Sequence, residues 1–297
     1  MKPVPLFLLA ALLTGCAAPR EVRRAMPAAP PVASAPTSAP IWPASAPSIA
    51  AQSAIMIDAR SGEVLYQKNA DESRVPASTQ KLLSALIVAR QGNLDAPVTI
   101  MPEDTRVEPT KLGLRPGERY TRRELLQSIM VKSCNDACAA LARDHSGSEM
   151  AFVDYMNRAA WALGARSSRF LNSHGLPPAQ YSTARDIARI AFQAYRDPVL
   201  RRMMQQRVVY FRHNTGRVTR LEATNKLLER SSAFNGMKTG YTDAAGRCLV
   251  SSGRLGGREV ILVQLRSRTK YIFDDAQRMM AWSGRGGYYG GTSYATF

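Results

Sequence analysis

Ser78 and Lys81 are the first pair of side chains whose types and spacing could do chemistry. They begin a segment whose residues 82–87 are apolar at helical spacing. Side chains three residues apart face the same way on a helix, so the amine can reach the hydroxyl. A neutral lysine can take the hydroxyl proton if burial or a second cation lowers its pKa. The pair therefore indicates an activated serine nucleophile, although S-x-x-K alone equally fits a helix cap followed by a surface lysine.

A second short motif, Ser133-Cys134-Asn135, stands where a helical pattern breaks. The Ser133 hydroxyl can relay a proton to a leaving group, and the Asn135 amide can hold a peptide backbone. By itself the motif also fits a junction between two helices, because serine and asparagine favour helix caps. The hypothesis of a function therefore depends on the other two motifs.

The third motif is Lys238-Thr239-Gly240, on a predicted strand. An ammonium and a hydroxyl side by side suit the binding of a carboxylate. The glycine would let a substrate approach the strand backbone closely. Alone, the same residues fit a lysine at a strand edge beside an ordinary turn.

Strand patterns lie near both ends of the chain and helical patterns lie between them. A hairpin is predicted at 53–68 and strands at 234–242, 247–252 and 259–265. Helical patterns cover the middle to about Arg230, and a last helix is predicted at 273–282. Thr121 and Glu124 form a capping box, and Gly92 ends the first helix. These elements predict an α/β (α+β) fold with one antiparallel sheet, flanked by helices and carrying an inserted helical subdomain.

The two ends of the chain differ from the middle in composition. Residues 1–15 combine a basic start with an apolar run, which is typical of a signal peptide. Cys16 directly after it resembles a lipoprotein cleavage site, so lipidation of Cys16 is expected. Residues 16–51 are rich in Ala, Pro and Ser and predict a tether, and 284–297 predict a Gly/Tyr-rich tail. The catalytic domain is expected at 52–283.

The net charge indicates which partners the protein can bind, and the cysteine count indicates whether disulfides are expected. The net charge is +17, from 40 basic and 23 acidic side chains. These basic residues are scattered, so we expect a solvated cationic surface or contact with anionic wall polymers or lipid headgroups, and no nucleic acid. With Cys16 assigned to a lipid, Cys134, Cys138 and Cys248 remain, and we expect them to be small buried residues.

Together the three motifs resemble those of the low-molecular-mass penicillin-binding proteins, which are serine D-alanyl-D-alanine carboxypeptidases and endopeptidases of the β-lactamase-like superfamily. The likeness extends to segments around each motif, at 75–82, 130–138, 181–186 and 236–243. It implies a D-alanyl-D-alanine carboxypeptidase that acts on peptidoglycan stem peptides through an acyl-enzyme and binds β-lactam antibiotics covalently. It implies no cofactor and no metal.

The resemblance also implies a role for each site residue. Ser78 would be the nucleophile, Lys81 the general base, and Ser133 and Asn135 the proton relay and substrate clamp. A further group would bind substrate: Lys238, Thr239 and Arg268 at the terminal carboxylate, Gly240 beneath the peptide, and the N–H groups of Ser78 and Tyr241 at the oxyanion. The protein is expected to be exported and held at the periplasmic face of a membrane, and the outer membrane is favoured over the inner membrane.

Several alternatives stay open or are disfavoured. Residues 246–250 also resemble the endopeptidases of the family, which cut D-alanyl cross-links. A class A β-lactamase needs a glutamate about 36 residues past the second motif, and residues 166–173 hold no acidic side chain. His145, His174 and His213 lack the context of a Ser/His/Asp hydrolase and are expected on the surface or in packing. A non-catalytic wall-binding lipoprotein is the alternative of another class.

Overall fold

The computed structural model describes residues 45–177, 180–268 and 270–285. Its centre is a five-stranded antiparallel sheet in the order β2-β1-β9-β8-β7. The strands are β1 (Ser53–Asp58), β2 (Val64–Lys68), β7 (Phe234–Thr242), β8 (Gly246–Leu255) and β9 (Arg258–Ser267). Both ends of the folded chain therefore meet in one sheet, and the predicted fold class is confirmed.

The helices follow the predicted order, with α1 to α7 between the two halves of the sheet. They are α1 (Lys81–Gln91), α2 (Arg122–Lys132), α3 (Asn135–Ser146), α4 (Glu149–Ala162), α5 (Ala184–Arg196), α6 (Pro198–Met204), α7 (Leu227–Arg230) and α8 (Ile272–Gly284), with 3-10 turns at Ala77–Gln80 and Pro102–Thr105. The predicted capping box is present, since Thr121 N donates to Glu124 Oε2 and Glu124 N to Thr121 Oγ1.

The middle of the chain is less helical than the pattern predicted. It contains two small antiparallel pairs, β3 (Pro97–Thr99) with β4 (Arg119–Thr121) and β5 (Val208–Arg212) with β6 (Val218–Glu222). These strands are only three to five residues long. In such short segments the apolar residues are too few to show either the helical or the strand spacing, so the pattern does not identify them.

The sheet is buried on both faces. Ile55 and Ile57 of β1 pack into a core with α1 to α6, while Ala54 and Met56 pack into a second core with α8. Because successive strand residues point to opposite faces, a strand buried on both sides reads as a continuous apolar run. Ile49, before the predicted domain boundary, is also buried in the second core.

Cys134, Cys138 and Cys248 are buried and form no disulfide, in agreement with their predicted packing role. Burial raises the pKa of the Cys134 thiol to about 12 and that of Cys248 to about 11, so both stay protonated at neutral pH. Cys16, the signal segment, most of the tether and the tail from residue 286 lie outside the described residues. Within the described part of the chain, no helix is long and apolar enough to cross a membrane.

Candidate active site

Ser78 lies on the 3-10 turn that leads into α1, and this turn packs against β7. A Cβ atom added to Gly240 would lie 2.9 Å from the Ser78 backbone nitrogen, and one added to Gly175 would lie 2.2 Å from the Ala77 carbonyl oxygen. A side chain at Gly240 would push the turn away from β7, and one at Gly175 would push it away from the loop after His174. The sequence predicted that Gly240 lets substrate approach the strand. The structure shows that the absence of a side chain at Gly240 also makes room for the backbone of the serine turn.

The Lys81 amine meets three oxygens. Its Nζ lies 2.9 Å from Ser78 Oγ, 2.7 Å from Asn135 Oδ1 and 2.5 Å from the His174 carbonyl oxygen. The first of these distances confirms that the spacing of Ser78 and Lys81 brings amine and hydroxyl into contact. The second joins the first two sequence motifs in one cluster.

Burial makes the Lys81 amine unusually easy to deprotonate. The residue is 0% exposed, and desolvation lowers its pKa from 10.5 to about 8. Lys238 is also buried, and its pKa falls well below the ordinary value because of desolvation and the nearby charge of Lys81. Its Nζ donates to the Thr239 carbonyl oxygen at 2.9 Å. The lysines of the first and third motifs therefore lie close together in one buried, electropositive region.

The second motif is held at a sharp junction between α2 and α3. Ser133 ends α2 in a left-handed conformation (φ 69°), and Asn135 is the first residue of α3. The Asn135 side chain accepts from Lys81 and donates through Nδ2 to the Glu108 carbonyl oxygen at 2.8 Å. Its amide is therefore fixed between the lysine and the segment before α2.

Asp136 anchors that segment, and the sequence did not single it out. Its buried carboxylate accepts hydrogen bonds from the backbone N–H groups of Leu112, Gly113 and Leu114, at 2.9 to 3.2 Å. An acidic residue in the first turn of a helix is a recognisable signal. Its partners 22 to 24 residues earlier are visible only in the fold.

A cavity of about 670 Å³ opens over this cluster. Predicted site residues in its wall are Ser78, Ser133, Asn135, Thr239, Gly240 and Tyr241. Lys81 and Lys238 lie beneath it, and Arg268 is exposed and is not among the described residues that line it. Arg247, which the sequence did not single out as a site residue, does line it, with its Cζ 4.6 Å from the centre of the Tyr241 ring.

His174 differs from the expectation that all three histidines serve in packing or on the surface. Its carbonyl oxygen contacts Lys81, and burial together with the Lys81 charge lowers the pKa of its ring to about 4. The ring is therefore neutral at physiological pH. His145 packs against Phe152 and Tyr155, as expected, and His213 packs against aromatic rings near β5.

Comparison with known proteins agrees with this geometry. The D-alanyl-D-alanine carboxypeptidase (peptidase S11) family model matches residues 42–269. The chain is 34% identical over 227 residues to D-alanyl-D-alanine carboxypeptidase DacF of Bacillus subtilis, covering 74% of this chain but only 58% of that relative. It is 31% identical over 290 residues to the D-alanyl-D-alanine endopeptidase of Escherichia coli, covering 94% of this chain and 87% of that one.

The solved structures give the same result. The D-alanyl-D-alanine carboxypeptidase of Mycobacterium tuberculosis superposes with a TM-score of 0.77 at 30% identity, covering 82% of this chain and 95% of that one. Family match, fold and sequence likeness therefore coincide over the part of the chain that carries all three motifs. The chain belongs to the D-alanyl-D-alanine carboxypeptidase family, peptidase family S11.

Proposed function

We propose that this protein is a serine-type D-alanyl-D-alanine carboxypeptidase that acts on peptidoglycan stem peptides through an acyl-enzyme on Ser78. The observation that carries the proposal is the set of three oxygens around the buried Lys81 amine. A neutral amine has two N–H groups and one lone pair, and two of its neighbours, the Asn135 and His174 oxygens, can only accept.

This arrangement points the Lys81 lone pair at the Ser78 hydroxyl. Both N–H groups of the neutral amine are then used by the two acceptors, which leaves Nζ to accept from the Ser78 hydroxyl. At 2.9 Å it is nearer to that hydroxyl than the other available acceptor, the His174 carbonyl oxygen at 3.3 Å. With a pKa of about 8, about one Lys81 amine in ten is neutral at pH 7. The serine oxygen then attacks the carbonyl carbon of the penultimate D-alanine, and the proton moves to the lysine.

The remaining site residues take the roles that their positions allow. The N–H groups of Ser78 and Tyr241 stabilise the oxyanion of the tetrahedral intermediate. Ser133, which lies in the cavity wall, passes the proton from Lys81 to the leaving amine. The C–N bond breaks, D-alanine leaves, and water attacks the ester with Lys81 again as the base.

The terminal carboxylate of the substrate would bind at the cationic side of the cavity. Lys238 and Thr239 are its proposed partners, with Gly240 giving the peptide access to the strand. Thr239 Oγ1 already has a hydroxyl neighbour, Thr224 Oγ1, at 2.7 Å. Arg268 remains a proposed partner from the sequence, and Arg247 is supported by its place in the cavity wall.

Cleavage of D-alanyl cross-links is the second candidate activity. It is favoured by the cavity of about 670 Å³, which is larger than a leaving D-alanine needs, and by the likeness to an endopeptidase over most of both chains. We also propose that residues 1–15 are a signal peptide and that Cys16 carries a lipid. Of the predicted tether at 16–51, the part before the buried Ile49 would connect the catalytic domain to the periplasmic face of a membrane, with the outer membrane favoured over the inner one.

Intact-protein mass spectrometry after incubation with benzylpenicillin tests the proposal. We expect a mass gain of one drug molecule on the wild type and on the control Ser232→Ala, which alters an exposed serine, but none on Ser78→Ala. Cross-linked and uncross-linked muropeptides then separate the two activities. If the wild-type protein neither forms an adduct nor degrades the drug, the proposed enzymatic activity is refuted and a non-catalytic wall-binding lipoprotein is favoured.

A further inference from the structure

Glu149, in the first turn of α4, holds the segment that carries His174. Its Oε1 accepts hydrogen bonds from both the backbone N–H of Ser173, at 3.0 Å, and the Ser173 hydroxyl, at 2.7 Å. Ser173 is completely buried, whereas Glu149 is partly exposed. A single carboxylate oxygen on the outside of the domain thus fixes the chain one residue before the carbonyl that contacts Lys81.

The same segment is bound from the other side by α1. The Ser84 hydroxyl donates to the Ser173 carbonyl oxygen at 2.6 Å, three residues along α1 from Lys81. The peptide before His174 is therefore clamped between α4 and the helix that bears the base. This clamp acts together with Asn172 Oδ1, which accepts from the N–H groups of His174 and Gly175 at 3.2 and 2.7 Å. The two anchors set where the His174 carbonyl oxygen points, and that oxygen lies 2.5 Å from Lys81 Nζ.

We propose that Glu149 is a positioning residue for Lys81, acting by holding Ser173 so that the carbonyl of the next residue, His174, accepts one N–H of the neutral amine. The inference rests on the proposed function of Lys81 as the base for Ser78. If the His174 carbonyl moves, the second N–H of the amine loses its acceptor. The lone pair is then no longer directed at the hydroxyl, although Lys81 and Ser78 are both still present.

Glu149 acts as a hydrogen-bond acceptor and not as a charge. Its carboxylate is 3.6 Å from His174 Nε2, which is too long for a hydrogen bond. The His174 ring, with a pKa of about 4, is neutral at physiological pH and forms no ion pair there. A glutamine offers an acceptor oxygen in the same place, so Glu149→Gln should restore what Glu149→Ala loses.

Saturation kinetics of acylation by a fluorescent penicillin test this inference. For Glu149→Ala we expect the maximal acylation rate to fall roughly 10- to 100-fold, as a misplaced catalytic group predicts, with the half-saturating concentration within about twofold. Glu149→Gln should stay within about threefold of wild type. The control Asp154→Ala removes an exposed carboxylate from the same helix and should not change the rate.

The outcomes separate this inference from the proposed function. A wild-type rate in Glu149→Ala overturns the positioning role, and an equal loss in Glu149→Gln overturns the acceptor argument. If Glu149→Ala does not fold, as judged by thermal unfolding, Ser173→Ala replaces it. That variant loses one of the two bonds to Glu149 and should lower the maximal rate, so an unchanged rate refutes the inference. Wild type without any acylation refutes the proposed function itself.

Discussion

The acylation rate of the wild-type protein should rise with pH as Lys81 loses its proton. The perturbation is pH alone, between 6 and 9. Only the neutral amine can accept the Ser78 proton, so the rate constant follows the neutral fraction of Lys81. Desolvation of this residue lowers its pKa from 10.5 to about 8, which places the titration inside this range.

The size of the effect follows from that pKa. About 1% of Lys81 is neutral at pH 6 and about 90% at pH 9, so the rate should rise about 90-fold. With the ordinary pKa of 10.5, only about 0.03% would be neutral at pH 7, against about 9% in the folded site. Burial therefore raises the neutral fraction of Lys81 at pH 7 by a factor of about 300.

Stopped-flow measurement of acylation under single-turnover conditions gives this profile directly. The neighbouring His174 and Cys134 do not titrate in this range, because the pKa of His174 is about 4 and that of Cys134 about 12. A midpoint near 8 agrees with the reasoning. A rate that is flat from pH 6 to 9, or a midpoint near 10.5, would show that the neutral form of a buried Lys81 is not the base.

Three further predictions follow from the buried and charged groups. Asp136→Asn should lower the free energy of unfolding by about 2–4 kcal/mol in urea denaturation, because an amide cannot accept from all the N–H groups that the carboxylate holds. Arg247→Gln should raise the KM for a D-alanyl-D-alanine peptide about tenfold and more than Arg268→Gln does, since only the former lines the cavity; the reverse order would restore Arg268 as the main carboxylate partner. Lys81→Met should be inactive, and the wild type should gain about 3 kcal/mol of stability relative to it between pH 8 and 10.5. Stability rises with pH because the pKa of Lys81 is lower in the folded protein than in the unfolded chain. The cost of burying the charged amine is therefore full below pH 8 and disappears as pH rises through 10.5. A stability difference that does not change with pH would contradict this prediction.

The sequence predicted the parts of the site that depend on residue type. Ser78, Lys81, Ser133, Asn135 and the third motif could be found because their side chains carry the chemistry and their short spacings recur on helices and strands. The large sheet was also predictable, because four of its strands are six to ten residues long and the fifth, β2, follows a Ser-Gly turn that indicates a hairpin.

Other parts of the site could not be predicted, because they depend on backbone atoms and on long-range contacts. The His174 carbonyl contacts Lys81 across 93 positions of the chain, and any residue would supply the same oxygen. Glu149 reaches Ser173 across 24 positions, with nothing in its local context to distinguish it from a helix-terminal glutamate. Arg247 enters the cavity only because β8 pairs with β7 in a register that sets it opposite Tyr241.

The activity of this site depends on the fold keeping water away from Lys81 as much as on the motif itself. A lysine on an exposed helix would keep its ordinary pKa and leave Ser78 without a base. The structure excludes water by packing the serine turn against Gly240, the loop at Gly175 against Ala77, and α3 beneath the amine. Together these contacts bury the amine, and burial lowers its pKa by raising the cost of its charge. The loss of stability on burying Lys81 and the gain of reactivity at Ser78 are therefore two consequences of the same desolvation. A substitution that exposes Lys81 to water and so restores stability should lower the reactivity of Ser78.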